Sequence, residues 1–211
     1  MTDLPLSGKR VAVLVETEYI HAEIEFYKKR VAELGGELTL LTHLWGQPSK
    51  RFVNDVDSPD TPCTAIHALT VDRCVTRTDV NTFDIVLCAA NYVAVRLREI
   101  PPMHSLGSPE TVNTAPAVRF FAEAMTNPRI VKGALCHSLW ILTPNPALLK
   151  GRKVICHTVV LADILNAGAT FVPEPSHVVI DRDLVTARSF ADVEAYFAAL
   201  VATSRALSSP S

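Results

Sequence analysis

The first forty residues constrain this chain most tightly. "RVAVLV" (10–15) is a short, valine-rich apolar run, the pattern of a strand buried on both faces. In "IHAEIEFYKKRVAELGG" (20–36), Ile20, Ile24, Tyr27, Val31 and Leu34 fall on one helical stripe, and Gly35 or Gly36 can end it. "ELTLLT" (37–42) is strand-like again. Strand, helix and strand within about 30 residues form a βαβ unit, and two strands joined in this way lie parallel.

The pattern returns downstream. "FDIVLCAA" (83–90), "RIVKGALC" (129–136) and "RKVICH" (152–157) read as strands. "APAVRFFAEAM" (115–125) and "VVLADILNAG" (159–168) read as helices. "HVVIDRDLVTA" (177–187) reads as a hairpin turning near Asp181–Asp183, and "SFADVEAYFAALVATS" (189–204) as a last helix opened by Ser189 and Asp192. The expectation is one α/β domain over residues 1–211, with a mostly parallel sheet and a core at about 9–203. Residues 43–68 and 100–114 are expected to be irregular insertions, either binding loops or surface decoration. Residues 204–211 are expected to be a frayed tail.

Composition narrows the function classes. The chain has 211 residues, 48% of them hydrophobic, with a net charge of −2 and mixed signs along its length. That excludes a polybasic surface for nucleic acid or anionic membrane. No apolar run approaches the roughly 20 residues of a membrane span. The start, "MTDLPLSGKR", lacks the apolar core of a secretory signal. Five dispersed cysteines contain no CxxC, so reduced thiols in a cytoplasmic protein are expected. The seven histidines and five cysteines show no zinc spacing, and GxGxxG and P-loop motifs are absent. No metal or cofactor is therefore expected.

The chemistry-bearing segment is "RIVKGALCHSLWIL" (129–142). A buried strand runs into Cys136, and an apolar helix is expected to begin at once. A cysteine there is either a small packed hydrophobe or a nucleophile at the carboxyl edge of the sheet, where open α/β sheets bind ligands. In the second case the first helical turn favours a thiolate and offers N–H groups to an oxyanion. His137 would be the proton carrier.

"ALCHSLWIL" resembles the nucleophile-elbow segment of the ThiJ/PfpI family. In the same order, residues 9–38, "FDIVLCAANYVAVRLR", "LLKGRKVICH", "ILNAGATFV" and "LVTARSFAD" resemble its other segments. The resemblance spans residues 9 to about 202. It implies a flavodoxin-like three-layer sandwich with helices on both faces, usually dimeric or larger. The implied activities are hydrolysis, hydration of isonitriles or glyoxals, deglycation, or chaperone-like roles.

Three departures cluster at the implied site. A gapless match puts Ile20 where the family carries an acid beside the cysteine, and isoleucine can neither accept nor donate a proton. Glu16, Glu18 and His21 lie nearby as substitutes; the alternative for the two glutamates is a solvated loop. Glu23 matches a second acidic position and is expected to support the helix. The family's Gly-Gly turn is "AAN" (Ala89, Ala90, Asn91), whose N–H groups at Ala90 and Asn91 are candidates for an oxyanion site. Ser138 replaces the usual glycine after the elbow.

The remaining candidates are Tyr92 after that turn, His104 in the 100–114 insertion, and His157 in the second Cys–His dipeptide. Each has an ordinary packing or surface alternative. The expectation is an enzyme acting through Cys136 on a small electrophile by hydrolase, hydratase or lyase chemistry, as a homodimer. Catalytic candidates are Cys136, His137, Glu16 and Glu18; substrate-binding candidates are Ala90, Asn91, Tyr92, Ser138, His104 and His157. The alternative is a non-enzymatic redox-sensing, ligand-binding or chaperone-like dimer that has lost the family acid.

Overall fold

The computed structural model describes residues 4–57, 63–173 and 175–208. Along the chain run β1 (Arg10–Leu14), α1 (His21–Glu33), β2 (Glu37–Leu41), β3 (Lys50–Val53), β4 (Ala68–Val71), β5 (Ile85–Cys88), α2 (Val93–Arg96) and α3 (Pro116–Thr126). They are followed by β6 (Val131–Leu135), α4 (Pro146–Leu149), β7 (Lys153–Val154), α5 (Leu161–Asn166), β8 (Thr170–Phe171), β9 (Val178–Asp181), β10 (Leu184–Ala187) and α6 (Val193–Ser208).

Six strands form the central sheet in the order β2-β1-β5-β6-β10-β9. All neighbours are parallel except β10 and β9, the expected hairpin. β5 and β6 are buried at every position, so both faces of the sheet are covered. The step from β1 to β2 crosses the sheet one way and the step from β5 to β6 the other. Right-handed crossovers then put α1 and α3 on opposite faces. α6 joins α1, with the Phe197 ring meeting Phe26 edge-on at 5.6 Å between centroids. This is the flavodoxin-like sandwich that the sequence implies.

The direction change between β1 and β5 is a topological switch point, where such sheets open a crevice beyond their carboxyl ends. The register keeps those ends level. Leu14 pairs with Leu41 and with Cys88, Cys88 with Ala134, and Leu135 with Ala187. The residues that follow β1, β5 and β6 therefore emerge along one edge.

Four expectations are corrected. Residues 43–68 are not structureless: β3 and β4 pair as an antiparallel hairpin, with Phe52 buried beneath it. Asn54 stitches its base, its Oδ1 accepting from His67 N and its Nδ2 donating to Ala65 O. The stretch 152–157 is a strand only over Lys153–Val154, paired with β8 in a separate two-stranded sheet. It stops where Ile155 N donates to the Thr186 hydroxyl instead of a neighbouring strand. The helix expected after Cys136 is one 3₁₀ turn, Ser138–Ile141. Without a longer helix, no macrodipole acts on the sulfur. Finally, α6 continues to Ser208, so residues 204–208 are helical, not frayed; 209–211 lie outside the described residues. The Ser189–Asp192 capping box forms as expected. Residues 100–114 stay irregular apart from the short 3₁₀ turn Pro109–Thr111. Among the described residues no helix is long and apolar enough to cross a membrane.

Two positions in β6 fix the lower half of the core. Lys132 is fully buried in mid-strand, which requires a partner. Its Nζ donates to Asp183 and to the Asn127 carbonyl, 3.0 Å away. Arg152 Nη2 reaches the other Asp183 oxygen at 2.7 Å and Arg152 Nε reaches Asp181 at 2.7 Å. Burial alone would raise the Asp183 carboxyl, but hydrogen bonds from Lys132 and Arg152 outweigh it and hold Asp183 below its ordinary range. Next to Lys132, Gly133 leaves room for the Tyr196 hydroxyl of α6, and any Cβ there would collide with that oxygen and with Leu87. The Tyr196 hydroxyl is buried without a hydrogen-bond partner among the described residues.

Asp183→Asn leaves buried Lys132 without its carboxylate and Arg152 with Asp181 alone, and urea unfolding at pH 7 should show a loss of about 3–5 kcal/mol. Gly133→Ala should cost about 1–3 kcal/mol by overpacking, and adding Tyr196→Phe should recover much of it, since the lost hydroxyl both clashes and lacks a partner.

Candidate functional site

Cys136 is the first residue after β6. Its backbone is left-handed, with φ 61°, a conformation that costs a non-glycine residue about 1–3 kcal/mol. The surroundings hold it there: Cys136 N donates to Ala187 O at 2.9 Å and Cys136 O accepts from His157 N at 3.2 Å. The Ser138 hydroxyl lies 2.6 Å from Leu135 O and 3.0 Å from Ala89 O. It thereby fastens the bend after β6 to the turn after β5. Glu18 (φ 65°), after β1, and Asn91 (φ 66°), after β5, are left-handed as well. Such non-glycine conformations concentrate at functional sites, and here three lie in the loops of one sheet edge.

The turn after β5 is held by Glu23. This residue of α1 is 0% exposed. Its carboxylate accepts from Ala90 N at 2.9 and 3.2 Å and from the Tyr27 hydroxyl at 2.8 Å. Burial pushes the carboxyl up to about 7, against the pull of the two hydrogen bonds. The Ala90 N–H, a candidate oxyanion donor by sequence, is thus engaged by a buried acid. The signal for Glu23 lies in its spacing: it is three residues after Ile20 and four before Tyr27, on the buried stripe of α1.

The imidazoles of the two Cys–His dipeptides meet. His137 Nε2 lies 3.2 Å from His157 Nδ1, and Val159 N donates to that same Nδ1 at 3.3 Å. The His137 ring stacks on Trp140 at 5.3 Å and 11° and faces Tyr92 at 5.6 Å and 24°. Trp140 Nε1 donates to Asp163 at 2.7 Å. Tyr92, 45% exposed, is the solvent side of this cluster. Cys156 is buried nearby. Burial, reinforced by the Asp163 charge, pushes its thiol up to about 12, which marks it as a packed cysteine.

The other candidates are spent on structure. Glu16 accepts from Lys50 at 3.1 Å and from Thr42 at 3.5 Å. Glu18 forms a two-pronged pair with Arg96 at 2.9 and 3.0 Å. Asn91 Nδ2 donates to Asp55 at 2.6 Å. His21 stacks flat on His67 at 3.7 Å. His104 is exposed on the 100–114 loop, its N–H bonded to Glu99. The structure thus gathers Cys136, His137, Ser138, His157, Ala90 and Tyr92. It adds Glu23 and Trp140, and gives Glu16 and Glu18 cationic partners. No group of three or more metal-ligating side chains occurs among the described residues.

Comparison with known proteins agrees with this architecture. Residues 106–203 match the model of the DJ-1/PfpI family. The Bacillus subtilis protein YraA, provisionally named as a cysteine protease, is 25% identical over 126 residues, 60% of this chain and 64% of its own length. A two-domain Anabaena variabilis protein with DJ-1/ThiJ/PfpI-like and ferritin-like domains superposes with a TM-score of 0.73 at 21% identity. It covers 92% of this chain, which spans 47% of that protein. A ThiJ/PfpI domain protein from Brachyspira murdochii gives a TM-score of 0.71 at 13% identity, covering 96% of this chain and 99% of its own. At these identities the two structures establish the fold.

The buried acid has a thermodynamic signature. A glutamate in the unfolded chain ionises near 4.5, whereas Glu23 keeps its proton to about 7. Between those values the folded chain binds the extra proton, so stability falls as pH rises. At about 1.4 kcal/mol per unit the loss is a few kcal/mol. Urea unfolding across pH 4 to 8 should show this fall, and Glu23→Gln should abolish it.

Proposed function

We propose that the chain is a divergent member of the DJ-1/PfpI family, whose model matches residues 106–203, and that Cys136 is a nucleophile acting on a small electrophilic substrate in hydrolase, hydratase or lyase chemistry. The observation that carries this reading is the left-handed backbone of Cys136 at the carboxyl edge of a parallel sheet. A packed cysteine needs no such conformation, which the chain sustains here with bonds from three other segments.

The roles follow from the chemistry of the neighbours. Cys136 gives up its thiol proton, and the thiolate sulfur bonds to the electrophilic carbon of an amide, isonitrile, carbonyl or activated alkene. His137, stacked on Trp140 and facing Tyr92, is the proton acceptor in this reading. Glu23 keeps the turn at Ala90 in place, and burial holds its carboxyl up to about 7. Covalent addition leaves negative charge on the substrate, and that charge is discharged by the proton that returns from His137.

Cys136→Ala should lower turnover by about a thousandfold or more on any electrophile that the protein consumes. The measurement is a panel of amides, isonitriles, dicarbonyls and enones, followed by mass spectrometry for a Cys136 adduct. An unconsumed panel, together with a Cys136 that peroxide converts cleanly to the sulfinic acid, would replace this reading with that of a thiol sensor.

A further inference from the structure

We propose that His21 and His67 form an acid-opened clasp: their stacked rings dock the start of β4 on the first turn of α1 at neutral pH, and protonation of both rings releases it. The clasp is independent of any chemistry at Cys136.

The stack has room for one charge. The two imidazoles lie face to face, 3.7 Å between centroids and 2° between planes, and both residues are half-buried. Two neutral rings stack at that separation, and so do a neutral ring and a charged one. Two imidazolium rings repel each other there. His21 is the first residue of α1, where the positive end of the helix dipole also opposes a proton. Burial, and then the charge of His67, hold the His21 imidazole below its ordinary range; Glu25 opposes this and Lys28 adds to it. Glu25 is already paired with Lys28 at 2.7 Å, which weakens its hold on a second proton. The remaining titratable neighbours are Tyr19, whose hydroxyl donates to His67 O at 3.3 Å, and Cys63, which acts on Tyr19.

His67 is also where the hairpin is stitched to the chain around it. Its N–H donates to Asn54 Oδ1 at 2.6 Å, and its carbonyl accepts from Asn54 N at 3.2 Å. β3 has separate ties to the loop after β1, with Glu18 N donating to Val53 O and Asp55 N to Tyr19 O. What the rings add is the hold of the β4 arm on α1. Opening there reaches the sheet edge through two consecutive residues. Asn54, 5% exposed, carries the bonds to His67, and Asp55 accepts from Asn91, the left-handed residue after β5.

The sign of the effect sets the clasp apart from Glu23. A histidine lowered by folding contributes stability above its unfolded value of 6.5 and loses it as pH falls. Glu23 works the other way over the same range. Acid therefore opens the hairpin locally while the buried acid strengthens the fold as a whole.

The test follows amide hydrogen exchange and histidine NMR signals of the whole chain from pH 7.5 to 4.5, with exchange corrected for its intrinsic pH dependence. Protection of the His67 and Asn54 amides should fall about tenfold or more, while amides in β1 keep theirs. The imidazole signals should show the pair titrating in two coupled steps at least about one pH unit apart. His67→Phe supplies a flat ring without a charge, so protection of the Asn54 amide should stay level. His67→Ala removes the stack and should leave that amide weakly protected at both ends of the range. Thermal unfolding confirms that each variant is folded, and the wild-type titration decides the matter where one is not. Wild-type protection that stays level, two rings that titrate independently, or an acid opening that persists in His67→Phe overturns the clasp.

Discussion

Glu23 is a fully buried carboxyl group, and two parts of the molecule meet on it. It belongs to α1, it accepts from a neighbour on the same helix, and it holds the N–H of Ala90 beyond β5. That N–H would otherwise be an unpaired buried donor, and the carboxyl an unpaired buried acceptor. Each satisfies the other, so the turn at Ala89–Asn91, left-handed at Asn91, is held in place. The Ser138 hydroxyl then reaches Ala89 O from the far side, and the bend at Cys136 is set by a turn that is itself set by Glu23. The interaction is structural in its bonds and chemical in its consequence. The same burial that makes it rigid pushes the carboxyl up to about 7.

The rest of the edge is built on the same economy of parts. The loops leaving β1 and β5 each spend a left-handed non-glycine residue, and each is tied down by side chains from elsewhere: Glu18 by Arg96, Asn91 by Asp55. The first of those ties engages Glu18, and Lys50 engages Glu16, so both carboxylates that the sequence offers as catalysts have cationic partners. Among the described residues, what gathers at this edge is a cluster of rings and imidazoles, with one buried acid at the neighbouring turn.

Much of the frame was legible because it rests on periodicity. β1, α1 and β2, the buried strands β5 and β6, and the β9–β10 hairpin all follow from runs and stripes in the sequence. β3 and β4 are not legible in the sequence, because four-residue strands with one buried side chain each look like loop. The apolar run after Cys136 has the composition of a helix, but a single 3₁₀ turn buries it equally well. Glu23 lay in plain view on the apolar stripe of α1, yet its partner is a backbone N–H 67 positions away, and no pattern in the sequence encodes that. The meeting of His137 with His157 was hidden for the same reason: each dipeptide was legible, their contact was not. Lys132 in mid-strand is another case, intelligible only once Asp183 and Arg152 are seen to surround it.

The seating of Tyr196 against Gly133 bears on how the molecule is made. α6 follows every strand, and with Tyr196, Phe197 and Leu200 it closes one face of the sheet over β6 and β10. The strands of the sheet are laid down almost in the order in which they are synthesised, from β1 outward to β10. A nascent chain on the ribosome therefore assembles most of its sheet while that face is bare. The apolar floor formed by Val131, Gly133 and Leu135 stays open to other apolar surfaces until translation has passed Leu200.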